Sequence, residues 1–482
     1  MDKLVRSRFA PSPTGLLHVG GVRTALFAWL LARQNDGQFI LRLEDTDQSR
    51  EVVGADKHIM DCLNVLGLNY DEGPDVEGKY GPYRQSQRLD IYQKWALKLI
   101  DSGRAYSDPY TADEVQDFRQ QARDSKQPFL FRNHRPDQTQ LNTADWDHSE
   151  PLRFKSNPKP YTWQDAVMGE LSTGPEVIDD FVLIKSDGFP TYNFAHIVDD
   201  AEMKITHVIR GQEFLSSTPN FLNLYEALNI EMPILATMPH ILNETGNKKL
   251  SKRDGAKDVL DYVREGYLPE AMINFIATLG WNDGSEQEIY STKELIQKFS
   301  LHRVGRSGAH FDEKRLLWLN GAHIRSLTLD ELYDKVSEYW PKEAKLAPES
   351  FKKQVLGLVQ ERLKFFEEIP DLTSFFFSDL PLNPSLIENN KFLSKVPRSD
   401  ISKWLSMAKE SFDASNFSVE DLSNRLNQLL EDTGQKPSIL FSLIRIATTQ
   451  APASPGLSDT LFILGKEISL RRINLQIKAL DI

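Results

Sequence analysis

Residues 8–21, RFAPSPTGLLHVGG, constrain the fold more than any other stretch. The residues leading to Phe9 predict a strand over Leu4–Phe9, and Pro11, Pro13 and Gly15 turn the chain directly after it. A helix then opens near His18, because apolar residues recur at Val22, Leu26, Leu30 and Leu31 until Gly37 stops the pattern. QFILRLED follows as a second strand, so residues 1–45 form a compact βαβ start to an α/β core. Backbone N–H groups at the N-terminus of that helix, beside His18 and the small Gly20 and Gly21, suit a triphosphate. Far along the chain, KKLSKR at 248–253 is a basic, polar segment of the kind that closes over phosphates.

Bulk properties narrow the class. The 482 residues suffice for three or four domains. With 40% hydrophobic and 26% charged residues, and no apolar run of membrane-spanning length, a soluble globular protein is expected. The first motif begins within ten residues of Met1, which argues against a preceding leader. The lone Cys62 excludes an intramolecular disulfide and a multi-cysteine zinc site. Its neighbours Ile59, Leu63, Val65 and Leu66 mark it as a packed thiol rather than a nucleophile, in keeping with a reducing cytoplasm. A net charge of −12 argues against non-specific nucleic-acid binding but leaves room for a local basic surface.

Along the chain, 51–68 and 85–103 read as amphipathic helices. Between 106 and 189 the texture turns polar and Pro-rich, with short β-like pieces (PLRFK, GELST, FVLIK), as in an inserted domain. KITHVIRG then restores the α/β texture as a strand ending at Arg210 and Gly211. A helix over Thr218–Leu228 follows, with Pro219 suited to its first turn. The residues from 327 onward read as all-α, with a junction near 381–385.

Neither G-x-G-x-x-G nor G-x-x-x-x-G-K-[ST] occurs, so the common nucleotide fingerprints do not apply. The combination that does occur is RFAPSPTGLLHVGG, LRLEDTD (41–47), DEGP (71–74), GPYRQSQR (81–88), DGFPTYNFA (187–195), THVIRG (206–211), KKLSKRDGA (248–256) and FDEKRLLWLN (311–320). In this order and density these segments resemble the class I aminoacyl-tRNA synthetases, specifically the bacterial glutamyl type; the resemblance is weaker beyond residue 322.

The resemblance implies a Rossmann-like α/β catalytic domain over 1–105 and 190–245, interrupted by an acceptor-stem-binding insertion of α+β type at 106–189. A stem-contact domain carrying KLSKR would cover 246–326, and all-α anticodon-binding subdomains 327–380 and 381–482. HVGG corresponds to the family's HIGH-type signature, with His18 at the first histidine and Gly21 at the second. KLSKR corresponds to the KMSKS loop, whose Lys249 and Lys252 would contact phosphates, Lys252 stabilising the departing pyrophosphate. ATP, with Mg²⁺, would be held by Pro11, Ser12, Gly15, His18, Gly20, Gly21, Glu213, Leu242, Lys249 and Lys252, of which His18, Lys249 and Lys252 would be catalytic. Glutamate would lie among Arg8, Ala10, Ser12, Glu44, Tyr192 and Arg210. Glu44 would anchor the α-ammonium, while Arg8 and Arg210 would offer forks to carboxylates. A pocket arginine and EDT at 44–46, where glutaminyl relatives tend to have DDT, favour glutamate over glutamine.

Two departures from the family pattern stand out. His196 occupies a position where many relatives have Asn. Where some relatives bind zinc in the insertion, this chain has Asp108 and Tyr110, so no zinc is expected there and His134 reads as a surface histidine. The implied partners are glutamate, ATP and tRNA(Glu), with tRNA(Gln) left open as a second substrate. Arg325, Arg445, Arg471 and Arg472 are candidate RNA contacts. A cytoplasmic monomer with no membrane association is expected. A truncated relative that modifies a tRNA base, a glutaminyl enzyme and an inactive RNA-binding paralogue are the competing readings.

Overall fold

The computed structural model describes residues 4–137, 139, 146–250 and 257–480. It divides into two compact units. The first runs to Val263 and resumes over Pro269–Glu313; the second comprises Arg264–Leu268 and the chain from Lys314 onward.

The strands of the first unit are β1 (Arg6–Phe9), β2 (Gln38–Leu41), β3 (Ala105–Ser107), β4 (Leu152–Phe154), β5 (Tyr161–Asp165), β6 (Gly169–Thr173), β7 (Val182–Ile184), β8 (His207–Gly211), β9 (Ile234–Met238), β10 (Ile241–Leu242) and β11 (Ala309–His310). Six of them form one sheet in the order β2-β1-β8-β9-β5-β6, parallel throughout except for the β5–β6 hairpin. Arg6–Phe9 pair in register with Gln38–Leu41, and His207–Gly211 with Ile234–Met238. The chain leaves β1 toward β2 on one side and later returns as β8 on the other. The C-terminal ends of β1 and β8 are therefore a topological switch point, where open α/β sheets form a ligand crevice.

The predicted first helix is α1 (Val19–Gln34). Val22, Ala25, Leu26, Phe27, Ala28 and Leu30 are fully buried, so the apolar surface is wider than the single stripe the spacing predicts. It packs on β1, β2 and β8, and also against helices at Pro269–Ala277 and Thr292–Lys298; a helix covered on more than one side is apolar around most of its circumference. The helix ends at Gln34, Asp36 follows in the left-handed region at φ 47°, and at Gly37 the chain doubles back toward β1. The Gly37 N–H bonds to Ala32 O at 2.8 Å, and a Cβ there would stand 2.3 Å from Val5 O.

The other helices of this unit are α2 (Ala55–Val65), α3 (Leu89–Asp101), α4 (Ala112–Asp124), α5 (Tyr192–Glu202) and α6 (Thr218–Ala227), with Pro219 in the first turn of α6. The insertion expected at 106–189 is not one separate body. β3, β4 and β7 make a three-stranded antiparallel sheet, but β5 and β6 leave it and extend the main sheet. The reason lies in Asp165. Its carboxylate accepts from Thr237 Oγ1 at 2.6 Å, from Thr237 N at 3.1 Å and from Val167 and Met168 N at 2.9 Å, fastening the hairpin to β9.

The second unit is helical, as expected, but it starts earlier than 327: the helix Glu313–Ser326 lies almost wholly within it. The division between the two units falls after Glu313, inside the 246–326 span expected for the stem-contact domain. A gap between the helices Ile369–Phe377 and Ser385–Glu388 matches the junction read at 381–385. One core gathers Ile401, Leu405, Leu422, Leu440, Leu443 and Ile473; a smaller one joins Val355, Phe375 and Phe376 to Ala451 and Leu464 across the junction.

Gly37→Ala should destabilise the protein by about 1–3 kcal/mol, because the methyl can be accommodated only by moving the Val5 backbone. A urea midpoint equal to that of the unsubstituted protein would show that the turn has room to spare.

Candidate active site

Four short segments converge on the ends of β1 and β8. Arg8 is the third residue of β1, Arg42 follows β2, Asp199 and Asp200 lie near the end of α5, and Gln85 and Arg88 precede α3. All are buried. Arg8 Nε donates to Asp200 Oδ1 at 3.1 Å, its Nη2 to Oδ2 at 3.4 Å and its Nη1 to Ile209 O at 3.2 Å. Arg42 Nη1 reaches Asp200 at 2.8 Å and its Nη2 reaches Glu44 at 3.0 Å. Asp199 receives Arg88 Nε at 2.7 Å, with Gln85 Nε2 and Tyr92 OH at 2.8 Å. Burial pushes the pKa of Asp200 upward, but Arg8 and Arg42 outweigh it and hold it at about 2. Glu44 goes the other way: burial prevails over Arg42 and Arg8 and raises it to about 7.

Arg210 differs from these. It is 5% exposed, its Nη2 donates to Thr218 Oγ1 at 2.7 Å, and its carbon lies 5.2 Å from the centroid of the Phe221 ring. Its Nε has no hydrogen-bond partner, and among the described residues no carboxylate forms an ion pair with it. Burial lowers its pKa. Three arginines (Arg8, Arg42, Arg88) face three carboxylates (Glu44, Asp199, Asp200), so Arg210 is a buried cation in excess. An unpaired buried charge is costly, and a bound anion removes that cost.

Tyr192 opens α5 and is stacked between Phe214, at 5.0 Å, and His196, at 4.6 Å. His196 Nδ1 donates to Tyr192 O at 2.7 Å, and burial lowers its pKa to about 3. It is therefore neutral with Nε2 unprotonated, an acceptor where an Asn side chain could donate.

The turn Pro11–Gly15 joins this pocket to α1. Glu44 N donates to Pro11 O at 3.0 Å, Val52 N to Pro13 O at 2.9 Å, and Thr14 N to Ser12 O at 2.8 Å; Ala10 follows β1 directly. His18 is exposed at the N-cap of α1, its Nδ1 accepting from Gly20 N at 3.0 Å. A Cβ at Gly20 would meet the imidazole at 2.9 Å, and one at Gly21 would meet Leu17 at 2.6 Å, so both glycines let the turn close. Glu213, in the turn after β8, lies 3.3 Å from Lys249 Nζ, and Leu242 of β10 forms an isolated bridge with Lys249. Glu213, Leu242 and Lys249 are thus brought together. Lys252 lies outside the described residues.

Several sequence expectations change. Arg8 is not an open fork for substrate; its Nε and Nη2 are committed to Asp200. Arg472 is an internal clamp, bonding Asp379, Thr448 O and Ser378 O at 2.7–2.9 Å, so its guanidinium is engaged within the helical unit. Arg471 shares Asp379 from a more exposed position, Arg445 Nε donates to Ser454 Oγ at 2.9 Å, and Arg325 is half-buried. His134 is not a plain surface residue: it stacks on Phe118 at 4.2 Å. Tyr110 meets the same Phe118 edge-on, and Asp108 is tied to Arg153, whose Nε lies 2.9 Å away. An ion pair thus engages Asp108, and ring packing engages Tyr110 and His134. Sequence reading missed Arg42, Gln85, Arg88, Asp199 and Asp200. The available signal was charge in apolar surroundings: Arg42 between Leu41 and Leu43, and two acids after Ile197 and Val198.

Residues 4–318 match the family model "tRNA synthetases class I (E and Q), catalytic domain", and residues 331–477 match "Anticodon binding domain". The chain belongs to this synthetase family. Curated glutamate–tRNA ligases resemble it over its whole length. That of Clostridium botulinum strain Hall is 38% identical, covering 100% of this chain and 99% of the relative; that of Chlorobaculum parvum is 39% identical, covering 99% and 98%. A solved glutamate tRNA ligase from Elizabethkingia meningosepticum, in complex with its amino acid, superposes with a TM-score of 0.87 at 33% identity, covering 99% of this chain and 100% of that one. The synthetase is a ligase of the glutamate–tRNA type.

Asp200→Asn should destabilise this synthetase by about 3–5 kcal/mol, since Arg8 and Arg42 then lose their shared counter-charge. Urea unfolding measures it; a loss below about 1 kcal/mol would mean that the two arginines are not held by Asp200.

Proposed function

We propose that this synthetase activates L-glutamate with ATP and transfers it to the terminal adenosine of tRNA(Glu). An oxygen of the α-carboxylate attacks the α-phosphorus of ATP, and pyrophosphate leaves. A hydroxyl of the terminal ribose then attacks the adenylate carbonyl, and AMP leaves. Such chemistry needs positioning and charge stabilisation rather than a protein nucleophile.

The observation that carries the substrate assignment is Arg210, buried and without an anionic partner among the described residues. Glutamate with its ammonium and two carboxylates carries one net negative charge, which balances this surplus; glutamine carries none. Glu44 receives the α-ammonium, Tyr192 closes one wall, and Arg8 acts by fixing Asp200 and the strand end. Ala10 and Ser12 line the path from amino acid to nucleotide. ATP, as its Mg²⁺ complex, lies along Pro11, Gly15, His18, Gly20, Gly21, Glu213 and Leu242. Lys249 and Lys252 then take the phosphates, Lys252 stabilising the pyrophosphate as it departs. The three-stranded sheet with α4 holds the acceptor end without zinc. The helical unit reads the anticodon, with Arg325, Arg445 and Arg471 as candidate contacts. Activation requires bound tRNA, the enzyme is a cytoplasmic monomer, and tRNA(Gln) is a second candidate substrate. No helix among the described residues is long and apolar enough to cross a membrane.

ATP–pyrophosphate exchange with glutamate and tRNA present tests the reading, and absence of exchange would overturn it. Arg210→Ala should lower kcat/KM for glutamate about a hundredfold or more, the cost of removing one partner of a buried charge pair. The raised pKa of Glu44 gives a pH signature. Above about 7 it is ionised and binds the α-ammonium, so KM for glutamate should fall as pH rises from 6 to 8. Glu44→Gln should flatten that profile; an unchanged profile in the variant would remove Glu44 from ammonium binding.

A further inference from the structure

Away from the glutamate pocket, His58, Cys62 and Asp258 bring an imidazole, a thiol and a carboxylate together, their donor atoms all within 4.8 Å of one another. His58 and Cys62 are four residues apart on α2 and so share one face of that helix. Asp258 comes from the other end of this unit, a few residues beyond KLSKR, where its Oδ1 accepts from Leu260 N at 3.1 Å. His58 Nε2 lies 2.8 Å from Asp258 Oδ2, and Cys62 Sγ lies 3.3 Å from Nδ1 and 3.9 Å from Nε2 of the same ring. Cys62 is fully buried, while the side chains of His58 and Asp258 are 10% and 9% exposed. The cluster thus has a closed back and a narrow open side.

We propose that His58, Cys62 and Asp258 are a binding site for one divalent transition-metal ion of the zinc type. The donor set selects the metal: thiolate and imidazole suit zinc, whereas magnesium and calcium take oxygen ligands. Three protein ligands with one open side leave the fourth tetrahedral position to water. With bonds of about 2.0–2.3 Å, tetrahedral donors stand roughly 3.3–3.8 Å apart, so the imidazole has to turn until one of its nitrogens faces both Sγ and Oδ2 as the ion binds. Cys62 releases its proton to solvent as the metal binds and remains a thiolate. The site lies outside the insertion, whose Asp108 and Tyr110 are otherwise engaged. Its place in the fold gives it reach. The Asp258 main chain forms an isolated bridge with His18, so an ion on His58 and Cys62 would tie α2 to the foot of the KLSKR segment and to the N-cap of α1.

Cobalt provides the test, because the chain has only one cysteine. Full-length protein freed of metal by a chelator is titrated with Co²⁺. One equivalent should produce the near-ultraviolet thiolate-to-cobalt absorption, which can arise only from Cys62, and one equivalent of Zn²⁺ should erase it. Asp258→Asn should weaken Co²⁺ binding about tenfold or more, and Cys62→Ser should abolish the band. Absence of the band in the folded wild-type protein would overturn the proposal, as would an unchanged affinity in Asp258→Asn. The wild-type titration requires no variant to fold, and its outcome does not depend on whether the protein charges tRNA.

Discussion

The buried exchange of charge among Arg8, Arg42 and Asp200 is the constraint on which the rest of the active site depends. Removing three ionised groups from water costs several kcal/mol each, and only close pairing offsets it. Each bond in the network fixes a different segment: the end of β1, the residues after β2 and the last turn of α5, with Arg88 and Gln85 extending the hold to the approach to α3. The pocket is therefore rigid before substrate arrives. That is the arrangement in which fixed charges are most effective on a reacting group, because they need not reorganise.

The division of labour between the arginines follows from this. Arg8 and Arg210 come from neighbouring parallel strands and look equivalent as residue types. Asp200 engages the first, while the second is left with a hydroxyl and a ring. One builds the wall, and the other is the arginine proposed to meet a ligand. His196 takes part in the same way: burial leaves it uncharged, and its bond to Tyr192 O commits its only ring proton, so it supports the tyrosine ring and adds no further positive charge.

The βαβ start, the strand ending at Arg210 and the helical end of the chain were legible in the sequence, because each rests on local periodicity and on Pro or Gly punctuation. Tyr192, Glu44 and Arg210 were also legible as candidates, and the structure brings the three close together. What sequence could not reveal was pairing. Nothing local distinguishes the committed Arg8 from the uncommitted Arg210, or shows that Arg472 spends its guanidinium on Asp379 and two carbonyls. The path of the insertion was not legible for a related reason. GELST reads as a short strand wherever it pairs, and only the long-range bonds of Asp165 decide that it belongs to the main sheet.

That hairpin changes the mechanical character of the insertion. A domain inserted between two strands ordinarily hangs on two chain crossings and can swing like a flap. Here the chain goes out through β3 and β4, returns to the sheet as β5 and β6, and goes out again to β7 before rejoining the core at α5. The excursion is thus stitched to its base at its midpoint as well as at its ends. Whatever the three-stranded sheet grips is held as on a bracket, and a pull on it is felt by β9, the strand that lies beside the one carrying Arg210.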